Sequence, residues 1–115
     1  MLNPNLKVCY SLECLPEDWP IRGNAMCSGD DAEDRAAEDA IISDLESGNP
    51  WAWCCVKVSC WVEGMEDVVG EDYLGGCSFA SEEDFKASGC WDDMKEEARL
   101  NLMGELERHG YTLEI

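Results

Sequence analysis

Basic residues are scarce in this chain: 8 Lys and Arg stand against 26 Asp and Glu in 115 residues, a formal net charge of −18. Direct binding to nucleic acid through its phosphates is excluded, because that takes a basic footprint. Anionic membrane surfaces are excluded on the same ground. No apolar run approaches the roughly 18 residues that a membrane span needs. The stretch Met1–Lys7 lacks a basic region followed by a long apolar one, so the expected location is the cytoplasm. Histidine occurs once, as His109, and no Cys-x-x-Cys pair is present, which leaves a structural zinc site without its usual spacing. A calcium loop and a Gly-rich phosphate loop are missing too. A Cys–His nucleophile would have to use His109, which reads more simply as a helix C-terminal histidine. The expectation is therefore a protein that is not an enzyme, with no catalytic residue, metal or cofactor.

What the chain does have is enough apolar material for one core. Hydrophobic residues make up 45% of it, five of them Trp, and this length supports a single acidic α+β domain spanning residues 1–115. Eight cysteines amount to about 7%, just under the mark for a disulfide scaffold. In a reducing cytosol they read as free thiols, buried as small apolar groups.

Leu6 to Leu12 alternates and predicts a strand. Pro16, Pro20 and Gly23 interrupt regular structure until Ser28-Gly29. Asp30 to Ser47 predicts an acid-rich helix, capped by Ser28 or Asp30 and ended by Gly48-Asn49-Pro50. Trp51 to Val62 is the strongest strand signal, with Ala52, Cys54, Val56, Val58, Cys60 and Val62 on one face. Trp53, Cys55, Lys57, Ser59 and Trp61 share the other, only partly dry, face. Glu71 to Phe79 predicts its antiparallel partner, with a bulge or close backbone approach at Gly75-Gly76. Ser81 to Asp84 opens a short helix, a longer one runs from about Trp91 to Arg108, and Tyr111 to Ile115 predicts a last short strand. The β-α-β-β-α-β order suggests a small antiparallel sheet with two main helices on one face, a ferredoxin-like split βαβ.

The strings Arg22-Gly23-Asn24-Ala25, Ser28-Gly29-Asp30-Asp31, Trp51-Ala52-Trp53, Leu74-Gly75-Gly76-Cys77-Ser78 and Asp84-Phe85 resemble those of small uncharacterised proteins encoded by phages and prophages. The resemblance spans roughly residues 16 to 105. It implies a mobile-element origin and the cytoplasm of an infected bacterium, and it implies no established activity. The charge adds a likeness of class rather than of sequence, to phage anti-defence proteins such as anti-restriction and anti-CRISPR inhibitors, which are often small acidic mimics of DNA.

The acids are clustered. Eight lie between Asp30 and Glu46 against the single Arg35. On a helix, Ala36, Ala37, Ala40, Ile41 and Leu45 would pack inward and Asp31, Glu38, Asp39 and Glu46 would point outward, with neighbours about 5–6 Å apart. Further clusters are Glu63, Glu66, Asp67, Glu71 and Asp72 around the hairpin, and Glu82, Glu83 and Asp84 with Asp92, Asp93, Glu96 and Glu97. The candidate partner-binding residues are Asp30, Asp31, Asp34, Glu38, Asp39, Glu46, Glu66, Asp67, Glu71, Asp72, Glu82 and Glu83. Arg22 is expected to clamp Asp30 or Asp31. The expected function is a phage-encoded inhibitor that occupies the basic, nucleic-acid-binding surface of a host defence protein and binds no nucleic acid itself. The alternative is a structural or regulatory protein that self-associates, as a homodimer for instance, through the Trp53/Trp61 sheet face.

Overall fold

The computed structural model describes residues 6–111 and has the α+β architecture. Its elements run β1 (Val8–Pro16), α1 (Asp31–Glu46), a 3₁₀ turn (Pro50–Ala52), β2 (Cys54–Val62), β3 (Gly70–Cys77), α2 (Glu82–Ala87) and α3 (Cys90–Arg108). The strand expected over Tyr111–Ile115 lies, from residue 112 on, outside the described residues. The described strands form one antiparallel sheet in the order β1-β2-β3. This neighbour order departs from the ferredoxin-like split, in which another strand separates the two joined by the first helix. Here β1 and β2 pair directly, with the Glu63 N–H on the Lys7 carbonyl at 2.8 Å. The reason lies in the connection. The irregular segment 17–30 precedes α1, so the chain leaves β1 and re-enters β2 at the same end, which makes the pair antiparallel.

The chain divides into two compact units: residues 1–13, 57–73 and 89–115 form the first, and residues 14–56 and 74–88 the second.

In the first unit, Val58, Cys60 and Val62 of β2 are fully buried, as are Ala98 and Leu102 of α3. Met94 and Leu106 complete the stripe that the three- and four-residue spacing predicts. Burial of a side chain such as Leu102 or Leu106 stabilises by about 1.5–3 kcal/mol. α3 passes β3 so closely at Gly70 that a Cβ there would stand 2.3 Å from the Ala98 carbonyl oxygen and the Leu102 nitrogen. The close backbone approach expected at Gly75-Gly76 is not found there, where a Cβ would meet only the Glu17 and Trp53 side chains, and occurs at Gly70 instead. On the other face of β2, Lys57 is half-buried, with ion pairs to Glu71 (3.8 Å) and Glu13 (4.0 Å) and its ammonium over the Tyr73 ring. These acids and the ring raise the lysine's pKa.

In the second unit the core is aromatic. Phe85 of α2 stacks at 5.4 Å from Trp51 and meets Phe79 edge-on at 5.2 Å. Asn49 organises the chain beside it. Its amide nitrogen donates to Asp44 and to the Phe79 and Ala80 carbonyls, and its oxygen accepts the Trp51 N–H. α2 is capped by Ser81, whose hydroxyl accepts the Asp84 N–H, while the Asp84 carboxylate accepts the Ala80 N–H. The aspartate is shorter than the usual Glu or Gln and closes this reciprocal pair one residue further back.

Candidate functional site

α1 begins as its sequence predicts. Asp30 is the N-cap and accepts the Ala32 and Glu33 N–H groups at 3.0 and 3.1 Å. The face it turns inward is different from the expected one. Ala36, Ala40 and Leu45 are exposed, Ala37, Ile41 and Ile42 are half-buried, and the one buried residue is Glu38, at 7% exposure. The loop 20–25 causes the difference. It supplies donors that hold a carboxylate inward: Gly23 N–H to Glu38 Oε2 at 2.8 Å, and Arg22 Nη1 to Glu38 Oε1 at 3.1 Å. Both bonds pull the Glu38 pKa below the ordinary glutamate value, the Gly23 amide most. The expected outward position of Glu38 is therefore corrected, and so is the Arg22 clamp. Arg22 pairs with Glu38 and Asp39 rather than with Asp30 or Asp31.

The other sequence-derived candidates fall into distinct settings. Asp34 accepts the Ser28 N–H and hydroxyl, which lower its pKa and fix the entry of α1. Asp44 is engaged by Asn49. Asp31, Glu33 and Glu46 are exposed, and among the described residues they take no ion-pair partner. Glu82 pairs with Lys86 at 3.6 Å, and Glu83 is exposed. These all belong to the second unit. Glu66, Asp67, Glu71 and Asp72 belong to the first. There Glu66 accepts the Gly64 N–H, Glu71 meets Lys57 and the Tyr73 hydroxyl, Asp67 is exposed and Asp72 is half-buried.

Six exposed acids (Asp30, Asp31, Glu33, Asp39, Asp44 and Glu46) follow one another along α1 and its cap. At a rise of about 1.5 Å per residue they lie within about 24 Å of axis, in two groups, Asp30 with Asp31 and Glu33, and Asp44 with Glu46, with Asp39 between them.

The second unit also holds a groove of about 560 Å³ that the sequence did not announce, lined by Glu17, Trp19, Asn24, Trp53, Cys55 and the Gly75-Gly76 backbone. Its walls are tied together by two bonds. The Trp53 indole N–H donates to the Trp19 carbonyl at 2.7 Å, and the Gly76 N–H donates to Glu17 Oε2 at 2.7 Å. Gly76 has φ +62°, a left-handed conformation that aims its amide at the acid. Trp53 is buried, so it supplies a wall and not an open sheet face, while Trp61 is half-buried. Of these residues the sequence singled out Trp53, Cys55 and Gly75-Gly76 for their places in strands, whereas Trp19, between Pro16 and Pro20 in an irregular stretch, joins no periodic face and gave no signal.

Of the eight thiols expected to be buried, Cys54, Cys60 and Cys77 are, Cys9, Cys14, Cys55 and Cys90 are half-buried, and Cys27 is exposed. Burial pushes the Cys60 pKa up to about 11, and Cys54 higher still. His109 is the C-cap of α3. Among the described residues no three His, Cys, Asp or Glu side chains are grouped to hold a metal ion, and no helix is long and apolar enough to cross a membrane. No family model, curated protein or solved structure matches this chain.

Proposed function

We propose that this chain is an acidic inhibitor of phage or prophage origin, acting in the host cytoplasm by occupying the basic, nucleic-acid-binding surface of a host defence protein. The observation that carries this reading is the concentration of six exposed acids on α1 and its cap, within about 24 Å of helix. Ordinary folding does not require it. Like charges three or four residues apart each cost a few tenths of a kcal/mol. The macrodipole offsets that near Asp31 and Glu33 and adds to it at Asp44 and Glu46, in the last turn. The inhibitor would work by occupancy alone, holding the partner's cationic groove against its nucleic acid through many screened contacts, each worth about 0.2–1 kcal/mol.

The test is a capture from nuclease-treated bacterial lysate on the immobilised protein, followed by elution with either duplex DNA or salt. A nucleic-acid-binding protein released by both supports the reading, since a groove contact weakens steeply as the Debye length shrinks. Recovery of the chain bound only to itself and indifferent to salt overturns it, and points to apolar self-association.

A further inference from the structure

The groove between Trp19 and Trp53 is built for something other than general charge. Trp19 is 66% exposed although it is a large apolar side chain, and it stands at the mouth of a concave space. Its backbone is fixed: the carbonyl takes the Trp53 indole and the N–H reaches Glu17 Oε1 at 3.3 Å. The stretch of backbone that carries the exposed ring is therefore held in place. Beside it lies the Glu17 carboxylate, which accepts two backbone N–H groups and retains further lone pairs. Asn24 uses its amide nitrogen on the Pro20 and Arg22 carbonyls, which leaves its side-chain oxygen as an acceptor. The groove thus offers indole surface and acceptors, and its local field is negative: the charges of Glu17 and Asp18 add to burial in raising the Cys55 pKa.

We infer that this groove binds an arginine side chain of the protein partner, with the guanidinium stacked on Trp19 and its donors directed at Glu17 and Asn24. Charge complementarity argues for a cation in a chain of net charge −18. The planar, weakly hydrated guanidinium suits an indole face and a set of fixed acceptors better than an ammonium does. The volume leaves room for the flanking backbone as well. This deepens the proposal above by naming an anchor on the partner, and it rests on that reading for the partner's basic character.

The experiment is a titration of the ¹⁵N-labelled protein with capped Gly-Arg-Gly, read on the indole N–H signals of Trp19 and Trp53. Capped Gly-citrulline-Gly has the same shape without the charge and serves as the control. Saturable shifts of both signals by the arginine peptide are expected, with at least tenfold weaker binding of the citrulline peptide. Trp19→Ala removes an exposed ring and leaves the backbone bonds, so the fold persists, while the Trp53 response weakens at least fivefold. A variant carrying Asp31→Lys, Glu33→Lys and Glu46→Lys responds as the parent does. An equal response to citrulline, or an undiminished one in Trp19→Ala, overturns the inference. Neither outcome bears on whether α1 competes with DNA, because the peptide titration involves no nucleic-acid-binding partner.

Discussion

Glu38 Oε2 accepts the Gly23 amide at 2.8 Å, and this bond makes an acid the inward residue of α1. With Arg22 it joins the loop 20–25 to the helix it precedes. Alanines that the helical period would assign to the interior, Ala36 and Ala40, face solvent instead.

The Glu38 contact gives stability a particular pH dependence. Its folded pKa is depressed, so the carboxylate stabilises the fold above the unfolded pKa, and that contribution is lost as pH falls through the lower folded value. Urea midpoints of the wild type and Glu38→Ala should differ by their full amount above the ordinary glutamate pKa of about 4.3 and draw together only as pH falls below it. A difference that stays constant with pH would show that packing, not the ionised carboxylate, is what the substitution removes.

Two glycines of the first unit should respond in opposite directions to alanine. Gly70→Ala drives a Cβ into the α3 backbone and should cost at least about 3 kcal/mol. Gly104→Ala fills open space within α3 and should stabilise by about 0.5–1 kcal/mol through helix propensity. Chemical denaturation of the pair separates the two effects.

Thiol reactivity should follow burial. Under native conditions at pH 8, iodoacetamide should modify exposed Cys27 well before Cys54 or Cys60, whose thiolates are disfavoured by desolvation. Peptide mass spectrometry over time gives the order, and early labelling of Cys60 would mean that its strand opens readily.

Reversal of the three unpaired acids of α1, Asp31→Lys, Glu33→Lys and Glu46→Lys, should abolish capture of a DNA-competable partner. Loss of favourable charge at the helix start costs about 0.3–1 kcal/mol per site, and relief of repulsion in so acidic a chain partly restores it. The melting temperature should therefore move by only a few degrees. Glu38→Lys should instead unfold the loop 20–25 contact, visible as loss of the Gly23 amide's protection from hydrogen exchange.

The elements themselves were legible. Small residues alternating along β2, the stripe Met94, Ala98, Leu102 and Leu106, and the cap signals at Asp30 and Ser81 are local patterns, and local patterns set secondary structure. Net charge and the concentration of acids in residues 30–46 also belong to the sequence alone. The pairing of β1 with β2 did not, because it depends on where an irregular fourteen-residue stretch returns the chain. Nor did the inward turn of Glu38, which needs donors fifteen and sixteen residues away. The groove is the clearest case: Glu17 and Gly76 are 59 positions apart, and no periodicity relates a loop carboxylate to a strand amide. Composition and short-range spacing determine which residues are acidic, helical or extended. Only tertiary contact decides which acids are used up holding the chain together and which are left facing solvent.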